Sequence, residues 1–391
     1  MESDIWTKKF KLRYGNVTLN FGVESVIEEL SGYIRGFKKV FLLTSKRAAM
    51  VSGALDDVSR ILNEQGIEYI LFDKVTPNPS TSLVEEAVEY AKAHSVDLLI
   101  AIGGGSVIDT AKAVSLVLST GIGIVDLMKN NIHYVNHVNI PLIAINLTHG
   151  TGSEINRYAV LTISGTIEKR GFNAIYPNVS FDDPKYTITL SRDQTIYTSL
   201  DAFYHAYESA TSLYSNAFVN TLAEKSVENI VEALPMVLDK PGDIILRSKL
   251  LYASMLSGIC IDLAMTHLNH ALEHGLTGLK PSLPHGAGLA ITGPLVIYYT
   301  HKAMPHSSAR ILKLLDPSIK PLSEDAWKAA NSVKRFQEML GFHEKLSDYG
   351  IEKRDLGKVM EFVERMIRER YRGIPFEVTR DILENILYNS L

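Results

Sequence analysis

The length, composition and charge of the chain predict a globular protein and exclude a polyanion binder. The 391 residues suffice for two domains, and 46% hydrophobic with 21% charged residues is an ordinary globular composition. A formal net charge of −4 leaves no basic excess, so nucleic acid is not an expected partner.

The first half of the chain alternates short apolar runs with helical segments, which predicts a parallel sheet covered by helices. The predicted strands are 39–44, 68–72, 97–102 and 141–146, and the predicted helices are 48–66, 82–95 and 106–118.

From about residue 192 onward nearly every segment has helical spacing, as in 217–238, 244–265 and 355–371. We therefore predict an α/β nucleotide-binding domain over residues 1–187 and an all-helical, metal-binding domain over residues 188–391. The uncharged stretch 281–300 is interrupted by prolines and glycines. It is interpreted as a loop entering a buried helix, and no membrane span is expected.

The cysteine content and the N-terminus bear on the expected compartment. The single cysteine, Cys260, excludes an internal disulfide and fits a reducing environment. The first fifteen residues show no apolar signal segment. The expected location is the cytoplasm.

Three consecutive glycines, 103–105, follow a predicted strand and precede a predicted helix with Ser106 as its N-cap. Glycines lack a Cβ, so the backbone N–H groups of such a turn can approach a phosphate closely. The pattern departs from the usual dinucleotide fingerprint, because Ile108 stands where its last glycine would be. The turn alone is equally compatible with a tight strand–helix connection that binds nothing.

Two helical pairs of polar residues, followed by a further histidine, suggest a metal site. Asp201 and His205 are four residues apart, as are His270 and His274, and His285 follows eleven residues later. Residues four apart share a helix face, and a carboxylate and imidazoles on an apolar face are costly without a partner. Such a donor set suits Fe²⁺ or Zn²⁺. The alternative is a group of hydrogen-bonded helix histidines.

With these motifs in this order, the chain resembles the iron-containing (group III) alcohol dehydrogenase family, whose fold is dehydroquinate-synthase-like. The resemblance spans nearly the whole chain and is carried by 103-GGGSVIDTAK-112, 148-THGTGSE-154, 201-DAFYHAYES-209, 270-HALEHGLTG-278 and 284-PHG-286. It implies an NAD(P)-dependent enzyme that transfers hydride between nicotinamide C4 and an alkoxide or carbonyl at a metal. The implied metal is Fe²⁺, with Zn²⁺ as a second candidate. The implied substrates are small alcohols and aldehydes, and the implied assembly is a homodimer or larger homo-oligomer.

The resemblance also implies roles for individual residues. The metal ligands would be Asp201, His205, His270 and His285. His274 would line the substrate site without binding the metal, and His274 and Asp109 are the catalytic candidates. The cofactor contacts would come from Gly104, Gly105, Ser106, Asp109, Asn78, Thr148 and Lys169, the last matched loosely with Arg170 as its alternative.

The sequence departs from the family pattern in the loop after the fourth predicted strand. Leu147 replaces a threonine there, and His149 replaces an alanine.

The end of the first predicted strand bears on cofactor choice. Ser45, followed by Lys46 and Arg47, occupies a position where NAD-preferring members often carry an aspartate. An acidic residue would repel a 2′-phosphate, whereas adjacent cations accept one. NADP(H) is therefore favoured over NAD(H), with a simple solvated helix start as the alternative.

Other functions remain open at this point. A glycerol-dehydrogenase-like polyol oxidoreductase would need one aspartate and two histidines, and the additional His205 argues against it. A dehydroquinate-synthase-like lyase would need many cations, yet residues 255–300 contain only Lys280. A nucleotide-binding sensor without catalysis is the third alternative.

Overall fold

The computed structural model describes residues 5, 6, 8–130 and 140–391, and their contacts divide the chain into two compact units. The first unit comprises Met1–Leu190 and Lys240–Leu251, and the second comprises Ser191–Asp239 and Tyr252–Leu391. The expected division into domains of 1–187 and 188–391, with their separate roles, remains a prediction. By contacts, a short segment from the second half of the chain groups with the first unit.

The described part of the chain contains nine strands and fifteen α-helices. The strands are β1 (Phe10–Tyr14), β2 (Val17–Phe21), β3 (Lys39–Thr44), β4 (Glu68–Phe72), β5 (Leu98–Gly103), β6 (Leu142–Asn146), β7 (Tyr158–Thr162), β8 (Lys169–Asn173) and β9 (Val179–Asp182). The helices are α1 (Ser25–Tyr33), α2 (Ala48–Val51), α3 (Ala54–Glu64), α4 (Thr81–His94), α5 (Gly105–Thr120), α6 (Ile124–Asn130), α7 (Arg192–Thr211), α8 (Ala217–Asp239), α9 (Ile244–Ala264), α10 (Leu268–Leu279), α11 (His285–Ala303), α12 (Pro305–Leu312), α13 (Ala326–Met339), α14 (Leu356–Glu369) and α15 (Arg380–Tyr388).

The first unit is built on a seven-stranded sheet in the order β1-β2-β9-β6-β5-β3-β4. β1 and β2 pair antiparallel, and all the other neighbouring strands of this sheet pair parallel. β3, β5 and β6 occupy its interior because their near-continuous apolar side chains can be buried on both faces. The predicted parallel sheet is confirmed. β7 and β8 form a separate antiparallel pair.

Alternate residues of the central strands enter two separate hydrophobic cores, one on each face of the sheet. In β3, Phe41 and Leu43 pack with α4 and α5. Val40 and Leu42 of the same strand pack with α1 and α3. Side chains of a strand point alternately to opposite faces, so helices cover both faces. These two cores hold the carboxyl ends of β3, β5 and β6 in place, and the glycine turn directly follows β5.

Two helix boundaries in the first unit differ from prediction. The helix expected over 48–66 is broken into α2 and α3, because Gly53 adopts a left-handed backbone with φ of 80°. The expected N-cap Ser106 lies inside α5, which begins at Gly105 with the extended Gly104 as its N-cap. The helix therefore begins one residue earlier than the predicted 106–118, and the last of the three glycines belongs to its first turn.

The described residues of the second unit contain α-helices and short 3₁₀ turns. α7 packs against α8 and α11, while α10 packs against α11 and α14. The stretch 281–300 forms a loop followed by the buried start of α11, as predicted. Among the described residues, α9 alone is long and apolar enough to cross a membrane, and 72% of its apolar window is buried inside the protein. Such burial is typical of a core helix. Cys260 lies in this helix and is buried.

Candidate active site

One face of α7 carries the first two predicted metal ligands. Ser191 caps the helix by accepting a hydrogen bond from the N–H of Gln194, which fixes where the helix begins. Asp201 and His205 then lie one turn apart, and both are buried. Nδ1 of His205 is 3.5 Å from Oδ1 of Asp201.

The other two predicted ligands meet the same carboxylate oxygen. Nε2 of His270 in α10 is 3.6 Å from Oδ1 of Asp201, and Nε2 of His285 at the start of α11 is 3.5 Å from it. All four donor atoms lie within 4.8 Å of one another.

These separations fit a bound cation better than hydrogen bonding. They are too long for good hydrogen bonds. Ligands at about 2.0–2.1 Å from a tetrahedral ion are separated by about 3.3–3.5 Å, close to the separations between Asp201 Oδ1 and the three nitrogens. The carboxylate and three imidazoles therefore fit a single divalent cation.

Two buried atoms of this centre lack hydrogen-bond partners among the described residues, namely Oδ1 of Asp201 and Nε2 of His270. Buried polar atoms are normally satisfied, so a cation between them accounts for both. Burial alone would raise the pKa of Asp201, but His205, His285 and His270 lower it to about 2. Burial alone would lower the pKa of His270, but Glu208 and Asp201 raise it to about 9. The surroundings thus favour positive charge at this point, which a divalent ion supplies.

Two buried glutamates, which the sequence analysis did not identify, contact the outer ring nitrogens of these histidines. Oε2 of Glu208 contacts Nδ1 of His270, and Oε2 of Glu273 contacts Nδ1 of His285. A signal did exist. Glu208 follows Asp201 by seven residues and Glu273 follows His270 by three, so each shares a helix face with a ligand.

His274 lies one turn after His270 on α10 and is buried. It is outside the group of donor atoms that could hold an ion. Its Nδ1 lies 3.0 Å from the hydroxyl of Tyr371, and its ring centroid lies 5.9 Å from that of His285. Burial raises the pKa of Tyr371, so the phenol keeps its proton and can donate a hydrogen bond to Nδ1. His274 is therefore held beside the centre by Tyr371.

In the first unit, the loop that follows β6 packs closely against the glycine turn. A Cβ on Gly104 would lie 2.8 Å from the side chain of Thr148, and one on Gly105 would collide with Thr151. Only glycine permits this approach. The N–H groups at the start of α5 and the hydroxyl of Thr148 consequently lie close together, as binding of a pyrophosphate requires.

Lys169 and Asn78, both predicted to contact the cofactor, are hydrogen-bonded to each other. Nζ of Lys169 in β8 donates to Oδ1 of Asn78 at 2.9 Å, and Asn78 has a left-handed backbone with φ of 52°. The segment leading to Asn78 lies beside the end of β3, because the N–H of Val75 donates to the carbonyl of Thr44. Just beyond that strand end, Ser45 is half-buried and Lys46 is exposed.

Asp109, predicted to contact the cofactor and to act in catalysis, uses both carboxylate oxygens within the protein. Oδ1 accepts from the hydroxyl of Ser153 at 2.5 Å, and Oδ2 accepts from the N–H of Val160 at 2.8 Å. The fully buried Lys112 donates to the same Ser153, and burial raises the pKa of Asp109. These contacts make Asp109 part of a network that joins α5 to β7.

His149, the unusual residue in the loop after β6, is fully buried. Its Nε2 lies 3.4 Å from a terminal guanidinium nitrogen of Arg247, whose own Nε donates to the carbonyl of Pro241. Burial and Arg247 together lower the pKa of His149 to about 3, so its imidazole is a neutral acceptor.

Comparison with known proteins covers both halves of the chain. Residues 18–184 match the family described as iron-containing alcohol dehydrogenase, and residues 195–391 match the C-terminal domain of the same family. A long-chain primary alcohol dehydrogenase of Thermoanaerobacter ethanolicus is 34% identical, with 98% of each chain covered. An NAD-dependent methanol dehydrogenase of Bacillus methanolicus is 29% identical, with 82% of this chain and 84% of that protein covered.

A solved structure is similar over the same extent. The NADH-dependent butanol dehydrogenase A of Thermotoga maritima superposes with a TM-score of 0.87 at 28% identity, covering 98% of this chain and 99% of that one. The two family matches include strands β3 to β9 and all four residues of the candidate metal centre. The chain therefore belongs to the iron-containing alcohol dehydrogenase family and is a metal-dependent alcohol dehydrogenase.

Proposed function

We propose that Asp201, His205, His270 and His285 hold the catalytic divalent cation. The observation that carries this proposal is the convergence of three imidazole nitrogens on Oδ1 of Asp201 at 3.5–3.6 Å. Three nitrogens and one oxygen suit Fe²⁺, with Zn²⁺ as a second candidate. Such an ion supplies Lewis acidity, which lowers the pKa of an alcohol hydroxyl or polarises a carbonyl.

The proposed reaction interconverts a small uncharged alcohol and its aldehyde or ketone. In oxidation, the carbinol carbon loses a hydride to C4 of the nicotinamide and the hydroxyl loses a proton, so the oxidised cofactor is reduced. The protein binds both reactants and holds them in place for this transfer.

The first unit is proposed to bind the cofactor. Gly104, Gly105 and Ser106 would face the pyrophosphate, since the start of α5 presents backbone N–H groups and no acidic residue in its first turn. Thr148, Asn78 and Lys169 would contact the rest of the cofactor, with Asp109 near the nicotinamide. NADP(H) is the proposed form, because Ser45 brings no negative charge and Lys46 is exposed beside it.

His274 is proposed to transfer the hydroxyl proton. Imidazole both accepts and releases protons, and the hydrogen bond from Tyr371 fixes which ring nitrogen is available. A neutral ring that accepts from Tyr371 at Nδ1 carries its own proton on Nε2. In the reducing direction, that proton passes to the substrate oxygen while the Tyr371 proton passes to Nδ1, and oxidation reverses both transfers.

Metal content and turnover, measured on the same samples, test these assignments. Asp201→Ala and His270→Ala are expected to lose bound metal and activity while keeping their helical circular dichroism. His274→Ala is expected to keep its metal and lose about 10²–10⁴-fold in kcat. Full activity in a metal-free Asp201→Ala protein would overturn the proposed ligand set, and unchanged kcat in His274→Ala would remove its catalytic role.

The polyol alternative is less well supported by this site. A centre of one aspartate and two histidines would leave His205 outside, yet its Nδ1 is as near to Asp201 as the nitrogen of His285. A panel of short alcohols, diols and glycerol, with the reduced cofactor followed by its absorbance at 340 nm, distinguishes an alcohol dehydrogenase from a polyol oxidoreductase.

A homodimer or larger homo-oligomer in the cytoplasm is proposed for this enzyme. The edge strand β1 exposes Phe10, and exposed strand edges favour pairing with another chain. The single cysteine fits a reducing compartment. Light scattering on a sizing column tests the first statement, and cell fractionation tests the second; a monomer mass or a membrane-pelleted enzyme would count against them.

A further inference from the structure

Two glutamates lie directly behind the proposed metal ligands, and both are fully buried. Glu208 on α7 contacts Nδ1 of His270, and Glu273 on α10 contacts Nδ1 of His285. In both histidines, the opposite nitrogen, Nε2, faces Oδ1 of Asp201. Each imidazole therefore stands between a glutamate and the place of the cation.

We propose that Glu208 and Glu273 are positioning residues that set the tautomer of His270 and His285 and so determine how tightly the cation is held. A carboxylate accepts a hydrogen bond from Nδ1–H, which keeps the ring proton on Nδ1 and leaves the Nε2 lone pair free for the metal. This inference rests on the proposed ligand set, since it requires those two histidines to bind the ion through Nε2.

Glu208 is itself fixed in place by contacts with the segment that starts α10. Its Oε1 accepts from the N–H of Asn269 at 2.7 Å and lies 3.0 Å from Nδ1 of His267. One oxygen thus anchors the carboxylate while the other orients His270. A carboxylate held at both oxygens cannot swing away when the cation leaves.

Glu273 is fixed by packing as well as by its contact with His285. A Cβ on Gly288 would lie 3.1 Å from Cγ of Glu273, so α11 comes close to the glutamate at this point. A side chain at position 288 would have to displace the glutamate slightly, so the glycine leaves Glu273 undisturbed in this position.

The two pairs together connect the three helices that carry the ligands. Glu208 and His270 join α7 to α10, and Glu273 and His285 join α10 to α11. Donor atoms held in this way before the cation arrives lose little freedom when it binds. The two added carboxylates also increase the basicity of the imidazoles. Both effects increase metal affinity.

Zn²⁺ affinity, measured by competition with a chromophoric chelator on the metal-stripped protein, tests the inference without relying on turnover. Glu208→Gln and Glu273→Gln keep the shape and an acceptor oxygen but remove the charge, and about 10–100-fold weaker binding is expected for each. Glu208→Leu and Glu273→Leu remove the acceptor too and are expected to bind still more weakly. The rise in melting temperature on adding Zn²⁺ should shrink in the same order.

Glu344→Gln is the matched control, because Glu344 is a half-buried glutamate of the same unit that accepts from Tyr197 at 2.6 Å. Its Zn²⁺ affinity should equal that of the unmodified protein. If the Gln and Leu variants at both positions bind Zn²⁺ normally while Asp201→Ala loses it, the inference is wrong and the ligand set stands.

If Asp201→Ala retains Zn²⁺, the ligand set itself is wrong and the inference fails with it. If the glutamate variants lower the melting temperature of the metal-free protein yet leave Zn²⁺ affinity unchanged, the glutamates serve packing alone and the inference is overturned.

Discussion

Arg247 and His149 form a buried contact within the first unit, with 3.4 Å between a guanidinium nitrogen and Nε2 of the imidazole. Arg247 comes from α9, far along the chain, while His149 follows directly on Thr148 at the glycine turn. Burial lowers the pKa of Arg247 to about 10, so it stays charged at neutral pH. The contact ties the loop over the turn to the start of α9.

A double-mutant cycle should reveal this coupling. His149→Ala and Arg247→Met are each expected to reduce the free energy of unfolding by about 2–4 kcal/mol, through a cavity and a lost hydrogen bond. The double variant should lose less than the sum by at least about 1 kcal/mol. Urea titration of all four proteins provides the measurement.

The control cycle pairs His149→Ala with Arg60→Met, because Arg60 contacts Asp57 and Glu64 on the surface helix α3. These two changes should be additive. A coupling between His149 and Arg247 that grows or vanishes between pH 5.5 and 8 would contradict the neutral state assigned to His149, whose pKa is about 3.

Cofactor preference should depend on the charge that follows β3. The unmodified enzyme is expected to show a higher kcat/KM with NADPH than with NADH. Ser45→Asp should lower kcat/KM for NADPH about tenfold or more, since a carboxylate there repels the 2′-phosphate. Steady-state rates with both cofactors give the ratio.

Lys46→Gln and Lys38→Gln form a matched pair for this test, as both lysines are exposed and they flank opposite ends of β3. Only Lys46→Gln should lower kcat/KM for NADPH. A clear preference of the unmodified enzyme for NADH would show that Ser45 and Lys46 do not select the phosphate.

Glu154 should make stability fall as pH rises. Both of its oxygens lack hydrogen-bond partners among the described residues, and burial raises its pKa from 4.5 to about 7. The folded protein therefore holds a proton that the unfolded chain releases. This stabilisation is complete below about pH 4.5 and lost as pH rises through about 7, by up to about 3 kcal/mol.

Glu154→Gln separates this effect from other titrating groups, including the neighbouring Asp182, Asp109 and Lys112. The free energy of unfolding of the unmodified protein, minus that of the variant, should decline between pH 4.5 and 7. A difference that is flat or rises with pH would show that Glu154 is ionised in the folded state.

The strands that could be predicted are those marked by a continuous run of apolar residues in the sequence. β3 and β4 have the predicted bounds. β3 lies inside the sheet and is apolar nearly throughout because both of its faces are buried. β4 lies at the sheet edge and is largely accessible to solvent, so it was recognisable only as a short apolar run between polar segments. β1 was not predicted, since its Lys11 and Arg13 lie on a solvent-exposed edge. β8 was missed for a related reason, because its Lys169 and Arg170 give it a polar sequence despite being buried.

The metal centre was predictable because helical spacing brings side chains together on one face. Asp201 and His205 needed only the four-residue rule. The partners of the glutamates were not predictable, because Glu208–His270 and Glu273–His285 depend on how separate helices pack. The same limit explains why nothing in the sequence connected His149 with Arg247.

Because Lys240–Leu251 groups with the first unit, a single cut in the chain does not separate the two units. A fragment ending at Leu190 would contain His149 but lack the arginine that meets it, and a fragment starting at Ser191 would carry that arginine without its counterpart. The halves are thus interleaved along the polypeptide, and exchanging one of them between related enzymes would require two stretches of chain to be transplanted together.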